Sequence, residues 1–132
     1  MLNKKIIGTT AVLAAALGTS AVVAAAPALA QGGGSAVRAS GACTNHGSWN
    51  LKAKPDDSRI EIEFEVDVNR VGRTWHVRIT DNGHLVASLN RTTVAPSGSF
   101  TVERRAANRA GTDVIRAHAT RGQTTCGGSV RV

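Results

Sequence analysis

Four carboxylates recur at every second position: Glu61, Glu63, Glu65 and Asp67. Paired carboxylates can hydrolyse a glycosidic bond, and clustered ones can hold a hard cation. The spacing argues against both. Alternate residues of a strand lie about 7 Å apart along one face, so their oxygens do not converge. His76, His84 and His118 are the candidate imidazole ligands. Their spacing matches no zinc or copper motif, and Arg78 and Arg116 beside them would repel a cation. Ser97-Gly98-Ser99 is a turn and lacks the G-x-S-x-G pattern of a nucleophile elbow. No phosphate loop or dinucleotide fingerprint occurs. The expectation is a domain without catalytic residues, metal or cofactor.

Cys43 and Cys126 carry the remaining side-chain chemistry, and they are the only cysteines. The N-terminus says which compartment they meet. Lys4 and Lys5 precede an uncharged run of apolar and small residues, and Ala28-Leu29-Ala30 precedes Gln31. This order of basic region, apolar region and A-x-A site predicts a secretory signal peptide over residues 1–30. No second apolar stretch of spanning length follows. In an exported chain the two cysteines are expected to pair. The bridge would close a loop of roughly 80 residues and contribute about 4 to 5 kcal/mol through chain entropy. Losing Lys4 and Lys5 with the leader leaves 14 basic against 9 acidic residues, a balance of +5. Such a balance favours anionic partners such as envelope polymers.

The elements that must position these residues show a period of two. In residues 59–69, Ile60, Ile62, Phe64, Val66 and Val68 alternate with the acidic set. In residues 73–80, Trp75, Val77 and Ile79 alternate with Thr74, His76, Arg78 and Thr80. Period two means strands with one buried face. Five further strands are predicted, at 48–53, 84–90, 99–104, 112–120 and 124–132, which makes seven. Asn82-Gly83 is a type I′ hairpin signal. Leu85, Ala87 and Leu89 are expected on one inward face, and Asp113, Ile115, Ala117 and Ala119 on another. Residues 31–42, QGGGSAVRASGA, read as a flexible linker. Pro55 to Ser58 reads as a turn, and residues 105–111, RAANRAG, as a loop. The expected domain is then 43–132, an all-β, seven-stranded antiparallel sandwich. Trp49, Phe64, Trp75 and Phe100 all fall on inward parity, which argues against a stacking platform for sugars or single-stranded nucleic acid.

The third predicted strand carries Trp75, and Asn108-Arg109-Ala110-Gly111 gives N-x-x-G before the sixth. In these features residues 43–132 resemble immunoglobulin-like and fibronectin type III-like domains, and the chain as a whole resembles small secreted proteins of actinobacterial type. It has no tyrosine, so a tyrosine corner is absent, and its cysteines lie near the two ends of the domain. The resemblance implies that the third, sixth and seventh strands share one sheet while the second lies in the other. It therefore implies an acidic stripe on one sheet and a basic face of His76, Arg78, Arg116, His118 and Arg131 on the other. The expected function is a secreted, non-catalytic binding module, monomeric, that engages an anionic envelope or extracellular partner through that face. The alternative is a diffusible inhibitor or effector that presents Arg104-Arg105 or Asp81-Asn82-Gly83-His84 to another protein.

Overall fold

The structure, a computed structural model, describes residues 34–132. The predicted signal peptide lies outside the described residues. Eight antiparallel strands follow in order: β1 (Val37–Ala42), β2 (Ser48–Asp56), β3 (Arg59–Asp67), β4 (Thr74–Asp81), β5 (His84–Thr92), β6 (Ser99–Ala107), β7 (Val114–Arg121) and β8 (Thr124–Arg131). They form two four-stranded sheets, β1-β2-β3-β6 and β5-β4-β7-β8. β4, β7 and β8 share a sheet and β3 lies in the other.

Alternation builds the core. The inward residues of β3 and β4 are all buried, with Phe64, Val66, Val77 and Ile79 at zero exposure. They join residues of both sheets in one apolar cluster. Trp49, Phe64, Trp75 and Phe100 all belong to it, as parity predicted. Asn82 and Gly83 both take positive φ, 49° and 85°, in the β4–β5 hairpin turn.

Three expectations are corrected. Residues 37–42, which fall in the expected linker, form the first strand. They pair with β2 in continuous register from Val37↔Ala53 to Ala42↔Ser48. Small residues make this segment look unstructured, and at Gly41 the packing requires one. A Cβ on Gly41 would fall 3.2 Å from the Trp49 ring, and one on Gly128 of β8 only 2.6 Å from it. The indole thus closes the edge where β1 and β8 approach. The count is eight strands, not seven. Second, Leu85 does not point inward. A β-bulge shifts the register so that Ile79 pairs with Ala87 but Thr80 with Leu85. The extra residue, Val86, turns Leu85 to solvent at 56 % exposure. Third, Pro55, Asp56, Arg105 and Ala106 belong to strands and not to turns or loops; β2 and β3 join through Asp57 and Ser58 alone.

Cys43 and Cys126 are bonded, with an S–S distance of 2.08 Å and a sequence separation of 83. The bond ties the segment after β1 to β8. No helix among the described residues is long and apolar enough to cross a membrane.

Candidate anion-binding surfaces

The register settles which predicted site residues meet. On the outer face of the second sheet, Arg78 of β4 lies directly opposite His118 of β7. Arg116 lies between Thr80 of β4 and Ser129 of β8. Arg131 faces Val114, one outward position beyond Ser129 and so diagonal to Arg116. Directly opposed side chains sit about 5 Å apart and diagonal ones about 7 to 8 Å, so the three guanidiniums can span one charged ligand. His76 completes the set on β4, opposite Thr120. All five are exposed.

The rest of this face is neutral. Its other outward positions are Thr74, Thr80, Leu85, Ser88, Asn90, Thr92, Val114, Thr120, Thr125, Gly127 and Ser129, with no carboxylate among them. Two of these hold His76. Its Nδ1 lies 3.2 Å from Asn90 Oδ1 and its Nε2 lies 3.4 Å from the Ser88 hydroxyl. The imidazole is therefore turned toward β5 and engaged at both nitrogens. His76 and His118 are only diagonal neighbours, with Arg78 opposite His118. That arrangement suits an anion and opposes a metal ion.

The acidic face behaves differently. Glu61, Glu63 and Glu65 do form a stripe on the outer face of the first sheet, but cations flank it. Lys54 and Arg105 stand opposite Glu61, and Glu63 stands between Lys52 and a further carboxylate, Glu103. Arg105 Nη2 reaches Glu61 Oε2 at 2.9 Å and Asp56 Oδ2 at 3.7 Å, and Lys52 Nζ reaches Glu63 at 4.0 Å. Much of the stripe's charge is compensated within its own sheet.

Arg104 and Arg105 are not a presented loop. Both lie inside β6, Arg104 opposite Ile62 and Arg105 opposite Glu61. A protease cleft could not engage them as an extended loop. The Asp81-Asn82-Gly83-His84 segment is a tight hairpin turn whose Asn82 side chain is engaged inward: it accepts from the Val114 N–H at 2.8 Å and donates to Asp113 Oδ1 at 3.3 Å.

Behind that turn lies a charge pair that sequence parity placed only by half. Asp81 and Asp113 are both buried, at 1 % and 0 % exposure. Asp113 is well held. Its backbone pairs with Val132 in both directions, and Asn108, with its amide nitrogen turned inward, donates to Asp113 Oδ2 at 3.2 Å. Asp81 receives no hydrogen bond from an N–H or hydroxyl, and the group its carboxyl bonds is the neighbouring Asp113 carboxylate. Burial, with the neighbouring Asp113 carboxyl acting in the same direction, raises the Asp81 carboxyl from 3.8 to about 6; Arg109 and His84 pull against this. Asp113 lies on the expected inward face. Asp81, the first residue of the segment expected to be presented to another protein, has inward parity after Trp75, Val77 and Ile79.

Three arginines escaped the sequence reading: Arg70, Arg73 and Arg121. Arg70 and Arg73 share the β3–β4 connection, and Arg121 ends β7, far along the chain. Only the recurrence of arginine in the R-V-G-R and R-G-Q turns hinted at them. No known protein family, curated protein or solved structure matches the chain.

Proposed function

We propose that this protein is a secreted, non-catalytic module that binds an anionic polymer of the cell envelope or extracellular space. The contact is the outer face of the sheet β5-β4-β7-β8. The observation that carries this reading is the composition of that face. Arg78, Arg116 and Arg131 lie on neighbouring outward positions with His76 and His118, and no outward position of the sheet holds a carboxylate. Uncompensated charge on one face raises the local concentration of a polyanion, and several contacts add along a chain. The disulfide fits an oxidising compartment. The partition of β3 from β4, β7 and β8 is the one a fibronectin type III-like domain would have, with β1 as an added edge strand; we adopt that as the fold type.

The test is co-sedimentation of the processed protein with a teichoic-acid-rich cell-wall preparation at low and physiological salt. Pelleting is expected at low salt and should fade as salt rises, because exposed charges are screened over about 8 to 10 Å. Arg78→Glu with Arg116→Glu should abolish it. Equal pelleting by that double variant would refute the face as the contact.

A further inference from the structure

One end of the molecule holds a cavity of about 210 Å³, open to solvent, that neither sheet face accounts for. His46, Arg70, Arg73, Trp75, Arg121 and Thr124 line it. No carboxylate does. The ion pairs among the described residues involve only Lys52 and Arg105, so these three guanidiniums have none. Three like charges around one hollow repel each other, and a protein that needed only solubility would space them apart.

The loops that carry them are held rigidly by other means. Thr93, 1 % exposed, staples the β3–β4 connection: its hydroxyl donates to the Arg70 carbonyl and accepts from the Arg73 N–H. Its backbone pairs with Arg73, and its carbonyl accepts from Gly72. On the facing side, Cys43 N–H donates to Gly47 O, Thr44 N–H donates to Thr125 O, and the disulfide fixes the same loop to β8. Asn45 Nδ2 donates to the Thr124 hydroxyl at 2.6 Å. The frame is built while its charges stay unpaired, which is the arrangement of a preorganised site.

Trp75 forms part of the wall and is 3 % exposed, so its indole ring is a fixed neighbour of whatever enters. Three guanidinium forks call for acceptor oxygens. A carboxylate offers two oxygens, too few for three forks; a phosphate group offers three or more, arranged tetrahedrally. We propose that this cavity binds a phosphate group, the head of a phosphate monoester or the phosphorylated end of a chain. Arg70, Arg73 and Arg121 clamp it beside the Trp75 ring. The site is separate from the sheet face, since Arg78, Arg116 and Arg131 do not line it.

The experiment is a nitrogen–proton NMR titration of the protein with inorganic phosphate, repeated with acetate and chloride at matched ionic strength. Trp49→Phe assigns the two indole signals. A saturable shift of the Trp75 indole signal is expected with phosphate, with Trp49 unmoved and acetate weaker. Arg73→Gln and Arg121→Gln, both on the rim, should each weaken binding by about tenfold. Arg78→Gln should leave it within twofold. A shift that does not saturate, or that acetate matches, overturns the proposal, as does unchanged affinity in both rim variants. Because Arg78→Glu with Arg116→Glu spares the cavity, loss of cell-wall pelleting with phosphate binding intact, or the reverse, separates this site from the face.

Discussion

The two ends of the molecule handle charge in opposite ways. At the end formed by the β1–β2, β3–β4 and β7–β8 connections, arginines stand at the rim of a cavity and the backbone beneath them is tied by Thr93, by Thr44 and by the disulfide. At the other end, by the β4–β5 turn and the β6–β7 loop, the charge itself is buried. Asp113 is satisfied by Asn82, Asn108 and pairing with Val132, while Asp81 receives no N–H or hydroxyl donor and has the Asp113 carboxyl beside it. The first end separates holding the fold from presenting charge. The second uses a charged group inside the fold and makes stability depend on its protonation.

The largest effect should come from breaking the clamp of the basic end. Replacing Cys43 and Cys126 by serine opens a loop with a separation of 83 residues. We expect a loss of about 4 to 5 kcal/mol in denaturant unfolding on the chain-entropy account. Loss of less than about 1 kcal/mol would mean that hydrogen bonds alone hold this end, and the contrast between the ends would fail.

The acidic end should respond in the other direction. Asp81 holds its proton more tightly folded than unfolded, since its carboxyl rises from 3.8 to about 6. Folding therefore takes up a proton in that window, and stability falls as the pH rises through it. Above about pH 6 the loss is complete, on the order of 3 kcal/mol at most. Asp113, Arg109 and His84 are the charged or titratable groups that face it. Asp81→Asn should raise the melting temperature at pH 7, change it little near pH 4, and flatten the slope between. A variant less stable than the parent at pH 7 would show that the ionised carboxylate has a partner in solution.

Next in size is Gly98→Ala, about 2 kcal/mol destabilising. Gly98 has φ +77°, and a Cβ there would fall 2.2 Å from the Arg70 backbone nitrogen. The β3–β4 connection would have to move, so phosphate affinity should drop along with stability. A stable variant with unchanged affinity would dissociate the frame from the site.

What could be read in advance followed what is local. Alternation from Ile60 to Val68 and from Trp75 to Ile79 located the core strands, and parity placed Arg78, Arg116 and Arg131 on outward positions. Their meeting on one sheet needed the pairing of β4, β7 and β8, which no local pattern encodes. β1 is hidden because its small residues carry no strand pattern, and Gly41 is small to make room for Trp49, a contact between segments. The Leu85 reversal turns on one inserted residue, Val86, which leaves the composition of β5 strand-like on either register. The cavity is the least legible feature. Its arginines come from positions 70, 73 and 121, and only folding brings those turns together.

The smallest effect concerns the two sheet faces. Arg105 lies 2.9 Å from Glu61 and 3.7 Å from Asp56, but its side chain is 58 % exposed and the carboxylates are 41 % and 42 % exposed. Water and salt screen such pairs, so Arg105→Ala should cost no more than about 1 kcal/mol, less at high salt. A double-mutant cycle with Glu61→Ala would isolate the pair. The more telling readout is binding. Arg105 and Arg78 carry the same charge, yet only Arg78 stands on a face without carboxylates. Removing Arg78 should weaken cell-wall binding severalfold, whereas removing Arg105 should leave it nearly unchanged, because the field of Arg105 is already cancelled by Glu61 and Asp56. Equal losses from the two variants would mean that net charge, and not the composition of a face, decides what this protein binds.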